Sequence, residues 1–313
     1  MSPNDGPVRS TERTRVAVCV CTCRRNDRLV ELLDRLVLVA KEASEPADLG
    51  VVIIDDDPAG GAERVVADYA SAYALGITYR LIGSGNISIA RNAALAGGMD
   101  MADWLAITDD DCMPEPDWVV QLLAAQRATG AMGITGFCKD IPSRPVPRWV
   151  TDGVMITYDA VDLSPLDIGM LKNTMLSADW LRSHPAVRFD TGLGRLGGED
   201  PIFFRVAAAA GLGLHFTRQA VVIETFPAER LTFRALVRRW FWLGNSEALT
   251  NRRFDVARHR LALRGIKRLG LHLAAPFVRL VRRQPLLLLA VVPNVASDIG
   301  LVAGACGVKV KHH

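Results

Sequence analysis

Three consecutive aspartates, Asp109, Asp110 and Asp111, form one of two such acidic runs in this chain. Neighbouring carboxylates repel one another. At a strand end they are tolerated when solvated or when they hold a cation. Mg²⁺ and Mn²⁺ prefer oxygen ligands, use one or two carboxylates and complete their shell with phosphate oxygens. Alternate residues of an extended segment point the same way, so Asp109 and Asp111 are the expected metal ligands. A solvated acidic turn before Pro114 is the competing reading. An EF-hand calcium loop is excluded, because its glycine and its later glutamate are missing.

A second acidic run, Asp55, Asp56 and Asp57, precedes Pro58. One of its carboxylates can accept hydrogen bonds from a base N–H or a ribose hydroxyl; otherwise the run is a polar turn. Arg91 can neutralise a diphosphate, or it is a surface arginine on a helix.

The elements around these residues follow from periodicity. Residues 15–22, RVAVCVCT, form a short apolar run of the kind found in buried parallel strands. In the following helix, Leu29, Leu32, Leu33, Leu36 and Val37 share one face, with Asn26 or Asp27 as the cap. Strands are then expected at 51–54, 78–82 and 104–108, with helices at 63–74 and 87–101 between them. Strand and helix in alternation predict an α/β fold, a Rossmann-like open, mainly parallel sheet with helices on both faces. Such sheets bind ligands beyond the carboxyl ends of their strands, where all the acidic runs fall. Cys19, Cys21 and Cys23 alternate on the first strand and read as small core residues.

Taken in order, VAVCVCTCRRNDRL, VVIIDDDP, GNISIARNAAL and ITDDDCMPEPDW resemble the successive motifs of the family 2 glycosyltransferases. NTMLSADWLRS, the Gly197-Gly198-Glu199-Asp200 run and ETFPAERLTFRALVRRWFWLGNS continue the likeness, which spans about residues 15–246. Bacterial exopolysaccharide members of the succinoglycan type are the most similar in pattern. The resemblance implies a GT-A fold, an inverting mechanism, a nucleotide-sugar donor (a UDP-sugar favoured) and a saccharide or polyprenyl-linked acceptor. By position it assigns Thr22, Cys23, Arg24 and Asp56 to the nucleoside, with Asp56 on the base. Arg91, Asp109 and Asp110 join them on the donor, and Asp111 becomes the direct ligand of Mn²⁺ or Mg²⁺. Asp200 matches the general base, with Glu199 beside it. The acceptor side would draw on Gly197, Gly198, Glu224, Arg238, Arg239 and Trp240. Arg238-Arg239-Trp240 resembles the Gln-x-x-Arg-Trp element of processive members, but Leu236 stands where the glutamine would be. That departure favours addition of a single sugar.

Two other patterns bear on function. Gly192, Gly194 and Gly197 match the dinucleotide fingerprint G-x-G-x-x-G. They do not follow an opening strand, and acids stand where a pyrophosphate would lie, so a loop near the acceptor is the better reading. Net charge is only +3, yet from Arg252 to Arg283 ten Lys or Arg face one Asp. Basic and apolar residues alternate there, which suits a helix on an anionic bilayer surface. Pro293, Asn294 and Asp298 interrupt the apolar segment that follows, so a monotopic or re-entrant anchor is expected rather than a regular span. A helical hairpin packed on the catalytic domain is the alternative.

The resulting plan is a loose tail over residues 1–14, a GT-A catalytic domain over 15–235 and a helical membrane-associated region over 236–313. The catalytic domain divides into a nucleotide half (about 15–112) and an acceptor half (about 113–235). The tail has no apolar core of a signal peptide. The expected location is the cytoplasmic face of the plasma (inner) membrane, peripheral or monotopic. Nucleic acid is not expected as a partner, because aromatics are sparse in the basic stretch. A homo-oligomer is allowed. Two rival functions remain open: a nucleotidyltransferase on a similar sheet, and a non-enzymatic membrane adaptor.

Overall fold

The computed structural model describes residues 13–152, 154–155, 158–283 and 288–310. The strands are β1 (Thr14–Thr22), β2 (Ala47–Asp55), β3 (Ile77–Leu81), β4 (Trp104–Asp109), β5 (Cys112–Pro114), β6 (Gly133–Pro142), β7 (Pro165–Leu166), β8 (Thr174–Ser177) and β9 (Leu214–Phe226). The helices are α1 (Asn26–Glu42), α2 (Glu63–Ala67), α3 (Ile87–Met101), α4 (Trp118–Thr129), α5 (Arg148–Thr151), α6 (Ala178–Ser183), α7 (Glu199–Ala209), α8 (Phe233–Arg253), α9 (Arg258–Val281) and α10 (Leu288–Ala305).

One sheet runs in the order β3-β2-β1-β4-β8-β6-β9-β5, with β7 also paired to β9. The first four strands are mutually parallel. At β8 the sheet turns antiparallel to both β4 and β6, and β6 then pairs parallel to β9. Period-two alternation divides the core. Val16, Val18 and Val20 of β1 pack towards α1 and α4, whereas Ala17 and Cys19 pack towards α3 and α7. Leu29, Leu32, Leu33 and Leu36 of α1 are fully buried, and burial contributes roughly 2 kcal/mol per side chain. On the other face α3 lies close to the sheet because it is made of small residues. A Cβ on Gly98 would stand 2.7 Å from both Cys19 Sγ and Leu105 Cγ.

Several expectations change. Neither Asn26 nor Asp27 caps α1: Arg25 holds the cap position without a side-chain bond, and Asn26 instead donates to the Gly61 carbonyl. Helix α2 stops at Ala67 rather than 74, because Tyr69 and Tyr73 turn their hydroxyls back onto Asp34 and the Leu33 carbonyl of α1. Strand β2 is longer than expected at both ends. Of the tail, residues 1–12 lie outside the described residues. Thr14 already belongs to β1, and Arg13 is held by Asp48 and the Ala47 carbonyl. The three alternating cysteines are not equivalent, since Cys19 is buried, Cys21 half-buried and Cys23 exposed.

The C-terminal helices form a compact unit. Helix α10 continues through Pro293, contrary to the expected interruption. Asn294 Nδ2 donates to the Ala290 carbonyl in that turn. Residues 284–287, part of the expected apolar segment, lie outside the described residues. α10 crosses α8 along a seam of small residues. A Cβ on Gly244 would stand 1.8 Å from the Ser297 carbonyl oxygen, and one on Gly300 would stand 2.0 Å from that of Phe241. Asp298, fully buried in α10, faces Arg268 Nε at 3.0 Å and His272 Nδ1 at 2.6 Å on α9. By length and composition α10 could cross a membrane, contrary to the expectation that no regular span is available, and half of it is buried against the rest of the chain.

The seam predicts opposite outcomes for two glycine-to-alanine changes. Gly300→Ala must push two backbones apart and should destabilise by about 1–3 kcal/mol. Gly270 in α9 meets nothing within 4 Å of its added Cβ, so Gly270→Ala should stabilise by up to about 1 kcal/mol. Thermal unfolding of both variants distinguishes them; a raised melting temperature for Gly300→Ala would contradict the close crossing.

Candidate active site

Beyond the carboxyl ends of β1, β2 and β4 lies a cleft of about 620 Å³. Each wall comes from a different element. β1 supplies Cys21 and Thr22, β2 leads to Asp56, and the loop before α3 supplies Gly85. β4 leads into Asp109, Asp110 and Asp111, while the far wall holds Glu199 of α7, Glu224 of β9, Arg230 and Trp242 of α8.

At the floor is Arg91, from the second turn of α3. Its guanidinium lies 2.7 Å from Glu199, in contact with Asp200 and 3.5 Å from Asp109. Burial alone would lower its pKa, but Asp200, Asp109 and Glu199 more than reverse this and raise it. Asp200 is pushed up to about 7. Burial is the main cause, Arg91 opposes it, and the nearby carboxylates of Glu199 and Asp109 add to the rise. Glycine placement makes this junction possible. Gly197 and Gly198 both have left-handed φ, +81° and +89°, and a Cβ on them would strike Trp242 and Thr250 of α8. Within the G-x-G-x-x-G match, Gly197 therefore serves close packing before α7, and so does Gly194, whose added Cβ would stand 1.8 Å from Asn86 Oδ1.

Asp56 organises the opposite end. It is buried, and its two oxygens accept from the Ser84 amide and hydroxyl and from the Gly85 and Asn86 amides, at 2.6–3.1 Å. Asn86 then caps α3 through the Ser88 and Ile89 amides. Arg195 crosses from the glycine loop to the Ser84 and Gly85 carbonyls. Asp55 and Asp57 are occupied locally. Asp55 accepts from Tyr79 and two amides, and Asp57 from Arg24 and Ala59.

The three aspartates after β4 are not alike. Asp110 is buried, bonded to Thr22 Oγ1 at 2.8 Å and Arg25 at 2.9 Å. Burial pushes its carboxyl up to about 6, against the pull of Arg25 and Thr22. Asp109 and Asp111 open on the cleft. A carboxylate oxygen of each and Cys112 Sγ lie within 4.8 Å of one another. Burial and the charge of Asp109 raise the Asp111 pKa, a pairing that a cation would relieve. Burial holds the Cys112 thiol far above its usual range, so it stays protonated and is a poor ligand for a hard cation. The donor set thus fits Mn²⁺ or Mg²⁺ on two carboxylates.

Of the residues singled out in sequence, Thr22, Cys23, Asp56, Arg91, Asp109, Asp110, Asp111, Gly197, Glu199 and Glu224 line the cleft, and Asp200 adjoins it through Arg91. Arg24 does not. Its side chain is exposed beside Asp57, and it has a left-handed φ of 57°. Arg25 reaches the aspartates instead. Glu224 lies within β9, which runs on to Phe226. It is bound by Lys172 at 2.6 Å, which also holds Asp140. Arg238 and Arg239 line a neighbouring cavity, and Trp240 packs in a small apolar cluster with buried Leu236. Sequence reading missed Arg25, Lys172, Arg195, Arg230 and Trp242. Arg25 and Trp242 each lie within two positions of the residue chosen in their place, and only the helical phase of α8 selects Trp242 over Trp240. Lys172 carried no motif.

Residues 17–182, more than half of the chain, match the family described as Glycosyl transferase family 2. The chain is 32% identical over 236 residues to the succinoglycan biosynthesis protein ExoM of Rhizobium meliloti (strain 1021), covering 75% of this chain and 74% of that protein. Among solved structures it resembles S. aureus TarS 1-349 in complex with UDP-GlcNAc, with TM-score 0.55, 15% identity and coverage of 94% and 92%. The same protein in complex with UDP aligns with TM-score 0.51, 15% identity and the same coverage. The sheet order, the acid-lined cleft at its carboxyl edge and these likenesses agree: the chain is a glycosyltransferase with the GT-A fold and belongs to glycosyl transferase family 2.

Proposed function

We propose that this enzyme is an inverting transferase. It moves a sugar from a nucleotide sugar, a UDP-sugar in our reading, to a saccharide or lipid-linked acceptor in cell-surface polysaccharide or glycolipid synthesis. One observation carries the reading: Arg91 joins the acid at the end of β4 to the acids that open α7, in one cleft. Donor and acceptor chemistry thereby meet at a single side chain. The relative's role in succinoglycan biosynthesis and the UDP and UDP-GlcNAc complexes of TarS support the substrate class.

Asp56 fixes the 84–86 loop that walls the nucleoside end, and Thr22 and Arg25 fix Asp110 beneath the diphosphate. Asp109 and Asp111 would hold a divalent cation, which supplies positive charge to the departing diphosphate. Asp200 takes the proton from the acceptor hydroxyl as its oxygen bonds to the anomeric carbon and the carbon–phosphate-oxygen bond breaks. A single displacement of this kind inverts the anomeric centre. Arg91 and Glu199 orient the base. Glu224, held by Lys172, and the Gly197-Gly198 turn lie on the acceptor side.

We place the enzyme peripherally on the cytoplasmic face of the inner membrane. Leu263, Ile266, Leu271, Leu273, Phe277 and Leu280 of α9 are exposed among Arg260, Arg264 and Lys267. Such a face suits the headgroup boundary of an anionic bilayer.

Four outcomes are expected. Asp200→Asn should lower kcat on the order of 10²–10⁴-fold while nucleotide affinity stays within about twofold; near-normal turnover would refute the base. Because the base must be ionised and its pKa is raised to about 7, kcat/KM of the wild type should fall as pH drops below about 7 and level off above it. A profile flat down to pH 5 would contradict this. EDTA should abolish transfer and Mn²⁺ or Mg²⁺ restore it, with Asp111→Asn needing far more metal; full activity in chelator rules out the cation. Finally, the full chain should float with phosphatidylglycerol vesicles and be released as salt rises, and flotation equal on neutral vesicles would argue against the basic face.

A further inference from the structure

The cleft is lined by acids, yet a nucleotide sugar must bring a diphosphate into it. Most of its arginines already answer carboxylates. Arg25 faces Asp110 and Asp111, Arg91 faces Asp109, Glu199 and Asp200, and Arg230 lies 3.8 Å from Asp111. Arg195 also lines the cleft, and among the described residues no carboxylate lies within ion-pairing distance of it. Its Nε donates to the Gly85 carbonyl and one Nη to the Ser84 carbonyl, each at 3.1 Å. Those oxygens are neutral, so the charge of the guanidinium is left unbalanced. A guanidinium carries five N–H donors, and these bonds use two. The residue is exposed.

The place of Arg195 is fixed from both sides. The carbonyls it holds belong to the 84–86 loop, whose amides bond buried Asp56 at the nucleoside end. Its own backbone stands two residues before Gly197, at the turn into α7, where Glu199 and Asp200 meet Arg91. Two further ties fasten the crossing. Asn86 Nδ2 donates to the Thr191 carbonyl at 2.9 Å, and Asn92 exchanges two bonds with the backbone of Phe189. The segment from Phe189 to Gly197 therefore joins the nucleoside end of the cleft to the Asp200 end. A diphosphate that links a nucleoside to the transferred sugar has the same two ends.

We propose that Arg195 is a donor-binding residue whose remaining N–H groups bond the diphosphate oxygens of the nucleotide sugar. The planar fork suits this double duty, with one edge on the loop carbonyls and the other on phosphate oxygens. Positive charge then reaches the departing diphosphate from the segment that leads to the base, besides the charge held at Asp109 and Asp111. This rests on the transferase reading above and adds a residue to its donor site.

The test compares Arg195→Ala with the wild type by calorimetric binding of UDP, uridine and inorganic pyrophosphate to the full chain, with Mn²⁺ present. Affinity for UDP and for pyrophosphate should fall on the order of 10–100-fold, in line with lost charged hydrogen bonds. Uridine affinity should stay within about twofold, which also shows that the variant is folded. A residue that merely fastens the 84–86 loop would weaken uridine as much as UDP, and that equal loss overturns the proposal. Unchanged affinity for UDP and pyrophosphate overturns it as well. Failure of the transferase reading looks different: the wild type would bind pyrophosphate but neither UDP nor a nucleotide sugar, and the part of Arg195 would still be read from the pyrophosphate arm.

Discussion

The site depends on a buried guanidinium. Arg91 is almost removed from water, and an unpaired cation there would cost several kcal/mol. Three carboxylates converging without it would be equally untenable. Each side therefore makes the other tolerable. The geometric result is that α7, late in the chain, is fixed against the end of β4, which lies much earlier in the sequence. The catalytic candidates come from segments about 90 positions apart in sequence, yet they share one side chain. Because arginine keeps its charge across the physiological range, the clamp survives changes that alter the protonation of Asp200.

A second layer of the same logic lies in the acidic runs. In each, the residue that looks most available in sequence is not always the one left open. Asp55 and Asp57 serve their own turn, and Asp110 is bonded to Thr22 and Arg25. Charge density in these runs is thus largely structural. It shapes loops whose backbone amides would otherwise lack acceptors, and it leaves Asp109 and Asp111 facing the cleft.

The parallel half of the sheet was legible because burial on both faces forces unbroken apolar runs such as RVAVCVCT, and because the intervening helices carry a 3.6-residue stripe. The second half was not. Strand β8 has only four residues, β6 carries two glycines and a register shift after Gly136, and their pairing is decided by contacts distant in sequence. Short-range signals also failed at α1, where Asn26 preferred a tertiary acceptor to a capping role, and at α2, where two tyrosine hydroxyls drew the chain out of helix. In the site, the acids were visible as runs, whereas their partners were not. Lys172 sits in no motif, Arg230 lies within one that did not single it out, and choosing Arg25 over Arg24 requires knowing that Arg24 adopts a left-handed backbone and faces outward.

Helix α8 belongs to two neighbourhoods at once. Near its middle Trp242 forms a wall of the cleft, and within two turns Gly244 and Ala248 lie in the seam against α10. A helix is stiff along its axis, with a rise of about 1.5 Å per residue. The fold is therefore not an enzyme with a detachable foot. Exchanging the C-terminal helices for those of a relative would exchange part of the cleft wall too.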